Sequence, residues 1–332
     1  MNKKKIIILI IAMLFITGCG NKKYIIDDKG NPLKYEATGQ MLENNLLCSP
    51  SKDTEVYKLY KENEKQLVFK LEELPNCNNF KLSSTKSKSI WEHVVVKSTA
   101  WVILKIGKIV KNLGVSVMIV GLLIRIILMP LQIKTTKQSQ NMKKATPEIQ
   151  KIERKYKDKT DNESMMAKSQ EMMLVYKKYK VNPVSSCITA FIQLPIFLAF
   201  LQAIYRIPVI YEQKLLGWNL GMTPSVGISK GHYSYIALLI LIILSTFFSF
   251  KYSMSQTPQM GDDSKKQTNT MLYVMMGIIT LASFSLPTAI ALYWIVTNAF
   301  ISVQTFITTK LLDDNKKSKV KVKVGKKNGK NK

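Results

Sequence analysis

Histidine and cysteine are scarce in this chain of 332 residues, which holds two of the former and four of the latter. No two cysteines form a CxxC pair, and so small a set leaves little material for a histidine-rich metal site or for most zinc chemistry. The phosphate-binding patterns GxxxxGKS and GxxxxGKT are also missing. We therefore expect no metal, no cofactor and no enzymatic activity.

Acidic residues are few as well, since 22 Asp and Glu stand against 49 Lys and Arg, for a formal net charge of +27. Hydrophobic residues make up 46% of the chain, but they are collected in long stretches with almost no charge, separated by lysine-rich stretches. That alternation is typical of membrane spans and their loops. It excludes a soluble protein with a single core and predicts an all-α polytopic membrane protein.

The amino-terminal segment has the form of an export signal. Three lysines precede an apolar run over residues 6–16, which is too short to cross a hydrocarbon core of about 30 Å as a helix. The sequence Ile16-Thr17-Gly18-Cys19 is similar to the lipobox of bacterial lipoproteins. We expect a signal peptide over 1–18 and lipidation of Cys19; an uncleaved signal anchor with an incidental cysteine is the alternative.

Residues 19–89 should then lie outside the cell. Beyond Cys19, this segment holds two cysteines, Cys48 and Cys77. An exported compartment permits a disulfide between them, which would stabilise a domain with so little core. Two free thiols are the alternative, and the segment shows no catalytic constellation.

Five apolar stretches follow, each near the ~20 residues that a transmembrane helix needs. The last two are separated only by Leu286 and Pro287 and should form a tight helical hairpin. The five predicted spans cover residues 112–133, 184–206, 233–250, 269–285 and 288–309.

Residues 90–111, before the first span, are amphipathic at the period of a helix and predict an interfacial helix along the outer leaflet. One face carries Lys97, Lys105, Lys108 and Lys111, and the opposite face carries Trp91, Val95, Val102, Ile106 and Ile109.

Basic residues orient the spans. Residues 132–183 hold 13 Lys and Arg against 6 Asp and Glu, and residues 310–332 hold 10 Lys against 2 acidic residues. By the positive-inside rule, segment 134–183, loop 251–268 and a disordered tail over 310–332 are cytoplasmic, whereas loop 207–232 lies outside. This topology agrees with an exported amino terminus and places the chain in a bacterial plasma membrane.

Segment 134–183 has the spacing of two packed helices and predicts an antiparallel helical hairpin that projects into the cytosol. It is rich in methionine, whose flexible side chains suit surfaces that bind many apolar partners, although we assign Met165 and Met172 to the seam. Its lysines and those of the tail suit contact with anionic lipid or ribosomal RNA. The predicted seam contains Met142, Ala145, Ile149, Ile152 and Tyr156 in the first helix, and Met165, Met172, Tyr176 and Tyr179 in the second.

Arg125 lies inside the first predicted span, and none of the five spans contains Asp or Glu. A charge at such depth costs about 2.5–3.5 kcal/mol on insertion scales, so it usually serves a function. Polar residues recur on one face of other spans and predict a water-containing cavity with a positive, unpaired charge; snorkelling of Arg125 to the inner interface is the alternative. The polar candidates are Ser186, Thr189 and Gln193 in the second span, Thr280 and Ser283 in the fourth, and Trp294 and Asn298 in the fifth.

Several motifs together resemble the YidC family of membrane protein insertases, which is related to the mitochondrial Oxa and chloroplast Albino proteins. The resemblance implies a five-helix core with a polar groove that is open to cytosol and lipid but closed toward the outside. The groove arginine of the family matches Arg125, and its glutamine and tryptophan look like Gln193 and Trp294. The motifs include Gly121-Leu122-Leu123-Ile124-Arg125, Tyr179-Lys180-Val181-Asn182-Pro183, Gln193-Leu194-Pro195-Ile196 and Leu292-Tyr293-Trp294-Ile295-Val296-Thr297-Asn298.

The resemblance also implies a function. An insertase or chaperone of this kind receives the polar flank of a client protein in the groove, without ATP, and releases the transmembrane segment into lipid. Its expected partners are nascent membrane proteins, the ribosome, the Sec translocon, the signal recognition particle pathway and anionic lipids. A small anion transporter that uses Arg125 is the alternative, but repeated halves and broken helices would be expected of it.

Overall fold

The computed structural model describes the backbone of residues 23–84, 87, 89–182, 185–255 and 261–328. Side chains at 185–192, 254–255, 261–269, 271, 272, 275 and 313–328 are not described. The predicted signal peptide and the predicted lipidation of Cys19 therefore lie outside the described residues. Within the described residues the chain is predominantly helical, which confirms the all-α prediction.

The regular structure of the described residues comprises ten α-helices, two small antiparallel strand pairs, three short 3₁₀ helices and one π-helical turn. Strand β1 (Lys34–Tyr35) pairs with β2 (Gln40–Met41), and β3 (Lys214–Leu215) pairs with β4 (Trp218–Asn219). The helices are α1 (Glu55–Glu62), α2 (Lys97–Val110, continuing a π-helical turn over Glu92–Val96), α3 (Leu113–Ile127), α4 (Met129–Lys155), α5 (Asn162–Lys178), α6 (Ser185–Tyr205), α7 (Pro224–Ser229), α8 (Ser234–Ser255), α9 (Gly261–Ser285) and α10 (Thr288–Asn328).

The chain forms two compact units. The first, called the disulfide unit, comprises the described residues up to 120 together with residues 196–236 and 285–292. The second, called the arginine unit, comprises residues 121–195, 237–284 and 293 onward.

Two described helices are long and apolar enough to cross a membrane, over Ser234–Ser253 and Thr288–Leu312. A third crossing is available if α3 and α4, which meet at a bend of 58°, count as one span. Among the described residues, the other two predicted spans contribute shorter apolar stretches, Gln193–Tyr205 and Met276–Ser285.

The disulfide unit has its own hydrophobic core. Cys48 and Cys77 are buried and joined by a disulfide, with their Cα atoms 4.8 Å apart. Tyr211, which follows α6, packs among residues of the amino-terminal segment, so this segment and the loop after α6 fold together. The core contains Ile25, Tyr35, Leu42, Leu46, Val56, Tyr60, Leu71, Leu74 and Tyr211.

One residue of α2 departs from its predicted face. Lys97, expected on the polar face, is fully buried, and its ammonium group donates a hydrogen bond to the Leu82 carbonyl at 3.3 Å. Ile109, expected on the apolar face, is 73% exposed, as a residue directed at lipid would be. The buried stripe instead passes through Ala100, Ile103 and Gly107, because the small residues let α2 lie against Leu113 and Ser116 at the start of α3.

Helices α4 and α5 form the predicted antiparallel hairpin in the arginine unit. All five seam residues predicted in its first helix are buried, and Met172, Tyr176 and Tyr179 pack against them. Met165 is the exception, because it is 57% exposed and Ala167 and Val175 face the seam from α5 instead. The seam prediction is thus confirmed except at Met165.

The carboxyl-terminal tail, predicted to be disordered, has helical backbone where the structure describes it. Helix α10 continues as helical backbone through Asn328, well beyond Leu312, where its stretch apolar enough to cross a membrane ends. Lysine has a high intrinsic helix propensity, and no proline interrupts this stretch.

Candidate functional site

Arg125 lies near the carboxyl end of α3 and is half-buried. Its guanidinium donates a hydrogen bond to Oε1 of Gln193 on α6, with a nitrogen–oxygen distance of 2.6 Å. Among the side chains that the structure describes, no carboxylate forms an ion pair with Arg125. The positive charge therefore has a neutral amide oxygen for its partner.

Tyr293 completes this cluster from α10. Its side chain is 2% exposed and lies near the side chains of Arg125 and Gln193. Thr297, one turn later, donates to the Tyr293 carbonyl at 2.8 Å. Gly121 lies one turn before Arg125, and a Cβ at this position would stand 2.8 Å from the Tyr293 ring. The glycine thus lets α3 and α10 approach closely where the polar side chains meet.

A second polar contact joins α8 and α10. The Asn298 side-chain amide donates to the Thr246 hydroxyl at 3.2 Å, and both side chains are buried. Buried polar groups of this kind need partners, because an unsatisfied donor or acceptor away from water costs about 1–3 kcal/mol. This pair therefore holds two apolar helices together.

The other predicted site residues do not all join the cluster. Ser283 is buried, and its hydroxyl donates to the Ile279 carbonyl of its own helix at 2.6 Å. Thr280 and Trp294 are half-buried. The side chains of Ser186 and Thr189 lie outside the described residues.

Sequence reasoning assigned no role in the site to Tyr293, Thr246 or Gly121, although Gly121 opens one of the motifs that carry the family resemblance. Tyr293 stands beside Trp294 in one of the motifs that carry the family resemblance, so that motif was the available signal for it. Thr246 gave no such signal, because a lone hydroxyl in an apolar helix usually bonds to its own backbone.

Arg125, Gln193 and Tyr293 form a cluster that we call the arginine site. This site is suited to recognition of an anion. A guanidinium carries five N–H donors in a planar fork that matches a carboxylate. In a half-buried place with a neutral partner, that charge is less screened than on a water-exposed surface. The arrangement can bind an acidic group without a metal or a covalent step.

A family model described as the 60Kd inner membrane protein matches residues 105–316 of this chain. The chain is 34% identical to the membrane protein insertase YidC of Oceanobacillus iheyensis over 226 residues, which cover 68% of this chain and 85% of that protein. It is 32% identical to the membrane protein insertase MisCA of Bacillus subtilis over 240 residues, covering 70% of this chain and 85% of the relative.

A solved structure described as an active YidC insertase with its first transmembrane domain resolved is also similar. The match has 27% identity and a TM-score of 0.47, and it covers 66% of this chain and 47% of the other. This chain therefore spans about half the length of the solved one.

Proposed function

Because this chain belongs to the YidC family of membrane protein insertases, we propose that it inserts client proteins into the bacterial cell membrane. The arginine site receives the polar flank of the client, and the client's apolar segment then enters the lipid. The observation that supports this role most directly is the 2.6 Å hydrogen bond from Arg125 to a neutral amide, because it holds the guanidinium in place without cancelling its charge.

The energetics require no nucleotide. A transmembrane segment of about 20 residues, at roughly −0.3 to −0.6 kcal/mol per apolar residue, gains about 6–12 kcal/mol on entering lipid. The obstacle is the polar flank, which must cross a dry hydrocarbon core. A groove that holds Arg125, Gln193 and Trp294, with the hydroxyl and amide groups of Ser186, Thr189, Thr280, Ser283 and Asn298 along it, shortens that dry path.

Topology and partners follow from the same proposal. The basic hairpin and the basic tail face the cytosol, where they contact the ribosome and anionic lipid. The amino terminus is lipid-anchored at Cys19 on the outside. Nascent membrane proteins are the clients, delivered by the signal recognition particle pathway and released alone or beside the Sec translocon.

Proteoliposomes with the purified chain and a single-span client test the proposal. For a client with an acidic translocated tail, Arg125→Ala should lower the insertion rate roughly 10- to 100-fold, since a hydrogen bond to a charged group contributes about 1.5–3 kcal/mol. Arg125→Lys should largely preserve the rate. Arg154→Ala, at an exposed arginine of α4, is the matched control and should leave insertion unchanged.

The readout is protection of the translocated tail from added protease. Equal insertion by wild type and Arg125→Ala across clients with acidic tails would refute the role of the arginine site. Uptake of a small anion without any protected tail would instead identify the protein as a transporter.

A further inference from the structure

The turn between β3 and β4 carries a leucine where the backbone does not suit one. Leu216 and Gly217 form this two-residue turn, and their φ angles are +52° and +85°. Turns with two positive φ angles normally carry Asn-Gly, because the left-handed backbone crowds a larger side chain. The glycine fits such a turn, whereas the leucine strains it. The Leu216 side chain is also 82% exposed.

The combination of strain and exposure sets Leu216 apart. A single exposed leucine is ordinary on a protein surface. At this position, however, asparagine would adopt the left-handed backbone more readily and would also suit water. A strained conformation persists where the surroundings of the residue favour it. The turn therefore points to an apolar environment around the Leu216 side chain.

The contacts of the two strands place this turn at the ends of two apolar helices. The indole Nε1 of Trp218 donates to the carbonyl of Ser234 at 3.2 Å. Ser234 is the first residue of α8 and of its stretch that is long and apolar enough to cross a membrane. On the other strand, the Lys214 carbonyl accepts a hydrogen bond at 2.9 Å from the side chain of Asn112, directly before α3. The turn thus lies where a membrane-crossing helix begins.

Neighbouring side chains have the composition of a membrane interface. Tyr233, directly before α8, is 70% exposed, and Ile109 in the last turn of α2 is 73% exposed. Tryptophan and tyrosine are enriched where the headgroup zone of a membrane meets its hydrocarbon. Trp218 and Tyr233 therefore fit the same surroundings as Leu216.

Positive charge accompanies the apolar side chains. Lys214 is exposed, and so is Lys111, which precedes the Asn112 that bonds to the Lys214 carbonyl. The acidic residue nearest to the turn in sequence, Glu212, accepts a hydrogen bond from the backbone N–H of Val56 at 3.4 Å. Exposed lysines beside an apolar surface favour anionic lipid headgroups.

We propose that Leu216, Gly217 and Trp218, called the leucine tip, insert into the lipid leaflet at the ends where α3 and α8 begin, with a preference for anionic lipid. Burial of the leucine in lipid offsets the strain of its turn. All of these residues belong to the disulfide unit. The tip ties that unit to the membrane surface and acts independently of client insertion at the arginine site.

Fluorescence of Trp218 tests the proposal with a native tip. The full chain is placed in liposomes of equal parts phosphatidylglycerol and phosphatidylcholine, and the Trp218 signal is the difference between wild type and Trp218→Phe. Lipids brominated on their acyl chains quench an indole that lies in lipid, whereas iodide quenches one that lies in water. Brominated lipid should quench the Trp218 signal, and iodide should leave it nearly unchanged.

A matched pair of variants tests the leucine. Leu216→Asn suits the left-handed backbone but removes the apolar side chain, so it should lower quenching by brominated lipid by about half. Met41→Asn is the control, because Met41 is an exposed apolar residue of β2, in the other strand pair of the same unit. This variant should be quenched like wild type.

A second pair tests the preference for anionic lipid. Brominated phosphatidylglycerol should quench the Trp218 signal more strongly than brominated phosphatidylcholine. Lys214→Gln should remove most of that difference, whereas Lys52→Gln, at an exposed lysine of the amino-terminal segment, should preserve it.

Quenching of wild-type Trp218 by iodide but not by brominated lipid would overturn the insertion of the tip. Quenching by neither would overturn it as well and would show that the tip packs against protein, such as a second copy of the chain. Equal quenching of Leu216→Asn and Met41→Asn would overturn the role of the leucine. Equal quenching by the two brominated lipids would overturn the preference for anionic lipid.

Discussion

Two arginines of this chain are held by very different partners. Arg206, in the disulfide unit, lies 2.7 Å from the carboxylate of Glu92, with both side chains almost fully buried, and its Nε donates to the Asn45 carbonyl at 2.5 Å. Arg125, in the arginine unit, has an amide oxygen for its partner. The Glu92 carboxylate neutralises the charge of Arg206, so this pair stabilises the fold. The Gln193 amide leaves the charge of Arg125 available to a client.

Glu92→Gln should therefore destabilise the disulfide unit by about 3–5 kcal/mol, because removal of one partner leaves a buried charge unpaired. The measurement is denaturant unfolding of the full chain in detergent. Lys61→Ala, at the exposed pair with Glu72, should cost less than about 1 kcal/mol. Equal losses in the two variants would contradict a structural role for the buried pair.

Gly121 gives a second test at the scale of one residue. Gly121→Ala should destabilise the arginine unit by about 1–3 kcal/mol, because its Cβ would lie 2.8 Å from the Tyr293 ring and 3.1 Å from the Thr297 methyl group. Gly277→Ala in α9 is the control, since a Cβ there meets nothing within 4 Å among the described residues. Thermal unfolding should show a lower midpoint for the first variant and an equal or higher one for the second.

Arg125 and Gln193 could be proposed from the sequence, because a charge and an amide stand out in apolar stretches. The hydrogen bond between them could not be predicted from the sequence, since it depends on how each helix is rotated about its axis. Lys97 shows the same limit. A helical-wheel pattern places lysine on the wet face, but the Leu82 carbonyl, 15 positions away in sequence, supplies a buried partner.

At the scale of elements, the hairpin is held by two polar clamps as well as by its seam. Glu148 on α4 accepts hydrogen bonds from Lys178 and Tyr179, and Glu171 on α5 accepts from Lys155 and Tyr156. These bonds hold the pKa values of both carboxyl groups below their usual range. Each clamp thus joins the end of one helix to the other helix.

The sign of the resulting pH dependence follows from those lowered pKa values. A carboxyl group with a lowered folded-state pKa contributes stability above its ordinary pKa of about 4.5, and the contribution is lost as the pH falls through the folded value. At pH 7, E148Q/E171Q should therefore exchange its hairpin amide hydrogens faster than wild type. At pH 3 the difference should vanish.

Hydrogen exchange of the full chain, compared between variants at each pH, makes the measurement. Asp158→Asn, in the exposed turn between α4 and α5, is the control and should exchange like wild type. A difference between E148Q/E171Q and wild type that persists unchanged at pH 3 would show that the clamps act through shape rather than charge.

The packing of the hairpin was also easier to predict from the sequence than that of the other elements. Its seam follows a spacing of three and four residues over two helices, which is a strong local signal. The prediction failed at Met165 because Ala167 and Val175 of α5 pack into the seam instead. Methionine is apolar enough to fit a seam pattern whether it faces a partner helix or solvent, so spacing alone could not place it.

At the scale of the whole molecule, the family relationship and the fold divide the chain differently. The family model begins at residue 105, whereas the disulfide unit begins before it and includes residues 196–236 and 285–292. The described part of residues 23–104 therefore folds together with residues that the family model covers. The packing of Tyr211 among residues of the amino-terminal segment is one example.

This division predicts that loss of the disulfide acts on one unit only. The bond closes a loop with a sequence separation of 29, and such a loop contributes about 3–4 kcal/mol by the chain-entropy estimate. In the full chain, C48S/C77S should therefore speed hydrogen exchange throughout the core of the disulfide unit, while exchange in the α4–α5 hairpin should stay at the wild-type rate. Faster exchange in both places would mean that the two units unfold as a single cooperative body.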